Sequence, residues 1–334
     1  MLEHGGRLRR VAAASGTRPE DWLDLSTGVS PHPWPTPAPP AECWRRLPED
    51  EDGLLEAASG YYRASHLLPL PGTQAAIQLL PRLRPPCRVA VLGPAYAEHD
   101  HCWRQQGHAT RASALPALDQ DIERYDVVVV VNPNNPTGDH YPRERLLGWR
   151  ERLRHRHGWL VVDEAFMDPT PEGSVTPMTG GEGLIVLRSF GKFFGCPGAR
   201  LGFVAAWPAL LRQLKELLGP WAVSGPARWI GQRALCDRAW QMQARERLKR
   251  DSRRLADMLT RHGLAPTGGT ALFQSRLTDR ARWIDEYLAH RRILIRVFDD
   301  PPRLRVGLPG PEDDWRRLAG ALSGLPESAP DAMS

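Results

Sequence analysis

The chain has 334 residues, 41% hydrophobic and 25% charged, with a net charge of +5 and a pI near 9.1. That length and balance exclude a disordered chain and leave room for one large domain and a smaller one. The basic excess is scattered among acids along amphipathic helices, which speaks against a nucleic-acid surface, and no apolar run approaches the ~20 residues of a membrane span. The N-terminus lacks the apolar core of a signal peptide. Five cysteines (Cys43, Cys87, Cys102, Cys196, Cys236) are far apart and show neither zinc nor redox spacing. A reduced, cytoplasmic, metal-free protein is expected.

In chain order, His4-Gly5-Gly6-Arg7 through Gly28 is too rich in glycine and small polar residues for a plain helix and reads as an arm. Pro31 to Pro40 forces an extended, polyproline-like crossing, a rigid connector or a segment that docks in an aromatic groove. From about residue 50 helix and strand alternate. Leu54 to Ala64 has helical spacing, Leu67–Leu70 is a short strand, and Pro71-Gly72-Thr73-Gln74 turns straight into a helix. Arg88–Leu92 is a strand ending at Gly93-Pro94. Val127–Val131 is uninterrupted and apolar, the mark of a strand buried on both faces of a mainly parallel sheet. It ends in the turn Asn132 to Gly138. A basic helix from Arg143 to His155 follows, then strands at Trp159–Asp163, Leu184–Leu187 and Gly202–Ala206.

After Gly219-Pro220, residues 227–262 read as a long amphipathic helical stretch capped by Gly263. Ala271-Leu272-Phe273, a helix from Thr278 to His290, Ile293 to Arg296, and Leu304-Arg305-Val306 make a smaller α+β unit. A helix from Glu312 to Leu322 precedes a polar tail expected to be disordered. The expected division is an arm and crossing over 1–40, a large α/β domain over 41–222, a small α+β domain over 223–325, and the tail 326–334.

Alternation on this scale means a doubly wound α/β domain, whose ligands bind beyond the carboxyl ends of its strands. Gly72, Thr73, Tyr96, Asn135, Asp163 and Lys192 all lie just past strand ends, so they are expected to converge. Lys192 stands out because the chain has only three lysines, and the other two, Lys215 and Lys249, lie in exposed-helix patterns where arginine would serve. A lysine kept in the loop Ser189 to Arg200 points to an amine that can lose its proton and attack a carbonyl.

The remaining residue types narrow the ligand. Asp163 ends an apolar strand, where a carboxylate needs a cationic partner. Asn135 offers an amide, Tyr96 an aromatic face. Gly72, Thr73 and Gln74 bring backbone N–H groups and a hydroxyl, and Ser189 and Arg200 bring a hydroxyl and a guanidinium suited to phosphate. Pyridoxal 5′-phosphate (PLP) uses them all: an amine for its aldehyde, a carboxylate for its pyridinium nitrogen, a donor for its phenolic oxygen, a stacking face and a phosphate cup.

Asn135-Pro136-Thr137-Gly138, Val162-Asp163-Glu164-Ala165-Phe166 and Ser189-Phe190-Gly191-Lys192 through Arg200 resemble the class I/II aminotransferase superfamily of fold type I. They come in the family's order, 28 residues from Asn135 to Asp163 and 29 from there to Lys192. The resemblance covers nearly the whole chain. It implies a PLP-binding doubly wound domain with a smaller α+β domain, and Lys192 as the Schiff-base lysine. It also implies Asp163 as the ring-nitrogen partner, Asn135 as the phenolic-oxygen donor, Tyr96 as the stacking residue, a phosphate cup from Gly72, Thr73, Gln74, Ser189 and Arg200, and a homodimer. His4-Gly5-Gly6, Asp24 to Gly28, Arg46-Leu47-Pro48, Pro71 to Ile77 and Arg305 to Pro309 further resemble the threonine-phosphate decarboxylases of cobalamin biosynthesis, relatives of histidinol-phosphate aminotransferase. That implies decarboxylation of L-threonine O-3-phosphate to (R)-1-aminopropan-2-ol phosphate, with His4, Arg296 and Arg305 holding the substrate's anionic groups. Two departures stand out: Phe166 where many relatives carry tyrosine, and Ser30-Pro31 where an Asn-Pro is frequent.

Two other readings follow from the same residues. One is a PLP aminotransferase acting on a phosphorylated substrate such as histidinol phosphate. The other, a non-catalytic scaffold on this fold, sits poorly with an intact Lys192, Asp163 and Asn135.

Overall fold

The computed structural model of the chain describes residues 4–326; most of the polar tail expected to be disordered lies outside them. The fold divides into two units. The larger takes in Pro33–Asn135 and Asp139–Arg245; the smaller takes in the chain up to His32, Pro136–Gly138, and the chain from Glu246. Apart from the short excursion at Pro136–Gly138, the chain passes between them at 32/33 and 245/246, where the sequence places the division at 40/41 and 222/223, and the 245/246 crossing falls inside one helix, Arg238–Arg261.

The larger unit is built on seven strands: β1 (Leu67–Leu70), β2 (Arg88–Leu92), β3 (Ala109–Ser113), β4 (Val127–Val131), β5 (Trp159–Asp163), β6 (Leu184–Ser189) and β7 (Gly202–Ala205). Their order across the sheet is β1-β7-β6-β5-β4-β2-β3. All pairings are parallel except those of β7, which runs antiparallel to β6 and β1. The sheet is covered on both faces. Val127 and Val129 join one apolar cluster and Val128 and Val130 the other, which is why β4 carries five valines without alternation. The parallel register leaves Val131 and Asp163 side by side at one end of the sheet, with Ser189 at the end of the next strand.

The smaller unit holds a four-stranded antiparallel sheet of β8 (Gly268–Thr270), β9 (Phe273–Leu277), β10 (Arg296–Asp299) and β11 (Pro302–Gly307), in the order β10-β11-β9-β8. Leu23–Asp24 pairs in parallel with Ile293–Leu294 beside it, so the N-terminal arm is part of this unit.

Several expected elements differ in extent. The arm contains one short helix, Leu8–Ala14, because an Arg-Val-Ala-Ala-Ala run outweighs the flanking glycines. The helical stretch over 227–262 consists of two helices, Gly225–Cys236 and Arg238–Arg261, separated at Asp237, which leaves helical backbone at φ −82°, ψ 76°. Ala271-Leu272 is the turn between β8 and β9. The run from Ile293 to Arg296 divides between two sheets. β3 was missed because it is an edge strand of mostly exposed small and polar residues. The proline-rich crossing lies against the larger unit: Trp34 is buried, its backbone N–H donates to Phe194 O at 2.9 Å, and its indole donates to Asp237 at 3.1 Å.

Candidate active site

Asp163 is buried where β5 ends, and its two oxygens are held differently. Oδ1 accepts the Ala165 backbone N–H at 3.0 Å, and Oδ2 accepts from His99 Nε2 at 3.0 Å. His99 lies in the helix Glu98–Gln105 and is as deeply buried as its partner. Tyr96 stands one turn before it, its ring edge-on to the imidazole at 6.2 Å between centroids. The Tyr96 hydroxyl donates to Gln74 Oε1 at 3.3 Å, and Gln74 Nε2 donates to Glu98 at 2.9 Å. Burial, with Glu98 and Asp163 nearby, pushes the Tyr96 phenol up to about 12, so it stays protonated. The loop that carries Asn135 is pinned at both sides: Asn132 N–H donates to Asp163 O at 2.8 Å and Asn134 Nδ2 donates to Pro94 O at 2.7 Å. Asn135, Tyr96 and Asp163 are thereby brought to one end of the sheet.

A second group of predicted residues gathers around Gly72. This glycine caps the helix Thr73–Leu79 with φ +80°, and a Cβ there would lie 2.5 Å from Arg200 Nη2. A Cβ on Gly202 would lie 2.8 Å from the Thr73 backbone N, and Gly202 is paired in register with Ser189. Gly72, Thr73, Ser189 and Arg200 therefore share one cradle that side chains would fill. Arg200 adopts left-handed backbone, φ 51°, ψ 53°, an uncommon conformation for a residue with a Cβ. The Gln74 side chain is engaged by Tyr96 and Glu98, which leaves its backbone N–H as its contribution to this helix start.

Lys192 sits in a single helical turn, Phe190–Phe193, rather than in an open loop. Its Nζ lies 5.3 Å from the centroid of the Phe166 ring. Beneath, Arg188 is an arginine buried in a strand. Its guanidinium bonds Glu164 and Asp168 and donates to Ser174 Oγ at 3.1 Å. Burial raises the Asp168 pKa, while Asp168 and Glu164 hold the Arg188 charge firmly in place against its own desolvation. Glu164 follows Asp163 and Arg188 precedes Ser189, so this buried ion pair ties together the two strand ends that carry the site.

In the smaller unit, Arg296 on β10 and Arg305 on β11 are directly opposite each other across the antiparallel pair. Both guanidiniums approach the Phe298 ring, at 5.1 and 5.9 Å, and Arg305 also approaches Phe273 at 5.1 Å. Like charges facing each other destabilise a sheet unless an anion lies between or beside them. Burial first and Arg296 second push the Arg305 guanidinium down to about 10, with Asp24 pulling the other way. Arg305 donates to Ser26 O at 2.5 Å, and Ser26 Oγ accepts the Gly6 N–H at 2.8 Å. A Cβ on Gly5 would lie 2.4 Å from Ser26 O, so only glycine lets the arm lie this close. His4 is thereby set at a cavity of about 330 Å³ that Arg296, Arg7 and Arg10 also line.

Sequence reasoning passed over His99, Arg188 and Glu164. A signal existed for each. Tyr96, His99 and Trp103 recur at helical spacing, and Arg188 is a lone charge closing an apolar strand next to one that ends in two acids. Among the described residues no three His, Cys, Asp or Glu side chains are grouped to hold a metal ion, and no helix is long and apolar enough to cross a membrane.

The chain is 53% identical over 329 residues to a threonine-phosphate decarboxylase of Pseudomonas aeruginosa, covering 98% of this chain and 99% of that one. It is 46% identical to one from Sinorhizobium sp., covering 96% and 98%. Among solved structures it superposes on histidinol-phosphate aminotransferase from Sinorhizobium meliloti in complex with pyridoxal-5′-phosphate, with a TM-score of 0.80 at 20% identity over 96% of this chain and 94% of that one. L-threonine-O-3-phosphate decarboxylase from Porphyromonas gingivalis gives a TM-score of 0.75 at 21% identity over 90% and 98%. These low-identity likenesses speak to the fold alone. The family model for aminotransferase class I and II matches residues 52–322, and the chain belongs to that family.

Proposed function

We propose that the protein is a PLP-dependent lyase of cobalamin biosynthesis that decarboxylates L-threonine O-3-phosphate to (R)-1-aminopropan-2-ol phosphate and CO₂. The observation that carries this reading is end-to-end identity of 53% with a threonine-phosphate decarboxylase.

The residues present fit the cofactor. The Gly72 cradle against Arg200 is the space a phosphate needs, with Ser189 and Thr73 as further donors. Asp163, oriented by His99 and the Ala165 N–H, would accept a hydrogen bond from the ring N–H and so keep the ring nitrogen protonated. Asn135 serves the phenolic oxygen without help from residue 166, a phenylalanine here, and Tyr96 supplies the stacking face. Lys192 supplies the amine. When bound, PLP provides the sink for the electron pair released as a bond at the substrate's Cα breaks.

The chain's remaining task is to choose that bond. A carboxylate and a phosphate on one small substrate call for a cation at each end, and the facing pair Arg305 and Arg296 can supply one to each. Arg305, buried and held by Ser26, suits the single charge of the carboxylate. Arg296, with His4 and the arginines of the cavity, suits the phosphate dianion. Fixing both ends sets which Cα substituent stands perpendicular to the ring plane, and in this reading it is the carboxylate. After CO₂ leaves, Lys192 Nζ carries the proton that Cα takes up.

In keeping with its family, the protein works as a homodimer in the cytoplasm. Turnover of L-threonine O-3-phosphate by the PLP-loaded protein with no keto acid added tests the reading; an absolute requirement for added keto acid would assign the aminotransferase reaction instead.

A further inference from the structure

Asp285, an acid of the smaller unit, has no part in this reaction scheme. Asp285 lies on the helix Ala281–Ala289 and lines the same cavity as His4, Arg7, Arg10 and Arg296. Its Oδ1 is buried with no hydrogen-bond partner. A carboxylate oxygen left in that state is costly, whereas a neutral carboxylic acid has a proton to donate and loses less by burial. An acid facing a cavity rich in arginine is also out of place if the cavity takes an anion, unless the acid is itself uncharged when the anion is bound.

We propose that Asp285 is a specificity-determining residue for the substrate's phosphate: as the neutral acid it donates a hydrogen bond to a phosphate oxygen, and as the carboxylate it repels that group. The proposal rests on the reading above that His4 and Arg296 take the phosphate. The charged groups around Asp285 come from three elements. Its own helix supplies Arg282 and Glu286, the N-terminal segment supplies His4, Arg7 and Arg10, and β10 supplies Arg296 and Asp299. Arg282 is paired with Asp299 at 2.7 Å, which leaves less of its charge for Asp285. Burial first, then Glu286, push the Asp285 carboxyl up to about 6, against Arg296 and Arg282. An incoming anion raises it further, so binding draws a proton onto Asp285 from solvent.

Inorganic sulfate tests this, because it keeps its double charge across the range in which Asp285 titrates. It is titrated calorimetrically into the PLP-loaded protein, whose phosphate cup is filled, and the binding component abolished in Arg296→Gln is followed at pH 6 and pH 8. In the wild-type protein its Kd should rise at least about tenfold between these values, and in Asp285→Asn less than about threefold. The other groups of the cavity are common to both proteins, so the difference between the two slopes is the quantity read. Asp285→Ala should be as flat as the asparagine variant but weaker than it at pH 6, having lost the donor; its slope carries the test if the asparagine variant misfolds. Equal slopes in wild type and variants overturn the role of Asp285. Sulfate binding with no component sensitive to Arg296 at either pH overturns the phosphate placement beneath it, and the proposal with it.

Discussion

His99 Nε2 lies 3.0 Å from Asp163 Oδ2, with both side chains almost wholly out of solvent. A buried carboxylate at a strand end is costly unless something holds it, and here the holder is an imidazole from the helix that follows β2, two strands away in the sheet order. His99→Ala removes that partner and leaves Oδ2 exposed to an apolar environment. The cofactor-free variant should lose about 1–3 kcal/mol of stability in chemical denaturation. The loaded variant should also lose PLP faster on dialysis, because Asp163 is no longer held toward the ring nitrogen.

Lys192 is the amine on which the account turns. Lys192→Ala should fold normally, since the side chain it removes is no part of the apolar clusters. It should lose the visible absorbance band of lysine-bound PLP and all turnover. A visible band that persists would move the attachment elsewhere.

Gly72 combines positive φ with a contact that no Cβ can share. Gly72→Ala should cost about 1 kcal/mol of stability from the backbone alone. It should weaken PLP binding by tenfold or more, because the new methyl displaces Arg200 from the cradle. Fluorescence titration of the cofactor-free protein reads this directly.

The Arg188 network is a stability element with a functional position. Arg188→Met leaves Glu164 and Asp168 buried without their cation, and the expected loss is about 3–5 kcal/mol. Equilibrium unfolding at neutral pH checks it. Partial recovery is expected when the pH is lowered, because burial already raises the Asp168 carboxyl and its protonated form no longer needs the arginine.

Asp285 also leaves a mark on stability. Its carboxyl is raised from 3.8 to about 6 in the folded protein. Between those values the folded state holds a proton that the unfolded chain has released, so this residue's contribution to stability falls as pH rises through the window. Asp285→Asn, which cannot ionise, should be more stable than the wild type at pH 7–8, with the difference shrinking toward pH 4. Thermal unfolding of both proteins across that range measures it.

Much of this was legible in the residues, for physical reasons. β4, β5 and β6 announce themselves because a strand covered on both faces has no polar side to blur it. Asp163 and Ser189 stand out because each closes such a strand, and Lys192 because lysine is so rare in this chain. The cradle was foreseeable as a glycine beside a helix start, but its tie to Arg200 was not, since that depends on a left-handed turn far along the chain. His99 and the Arg188 network were hidden by their own burial: a charge inside the fold looks like any other charge until its partner is in place. The extent of the arm in the smaller unit was likewise out of reach, because two residues at Leu23–Asp24 pair with a strand some 270 residues later.

The reaction itself is tested most directly with L-threonine O-3-phosphate labelled at its carboxyl carbon. The PLP-loaded protein should release the label as CO₂ in equal amount to the aminopropanol phosphate formed, with the amine retained in that product. Label retained in a keto acid, with the amine passed to PLP and no labelled CO₂, would contradict the decarboxylase reading and assign the chain to amine transfer.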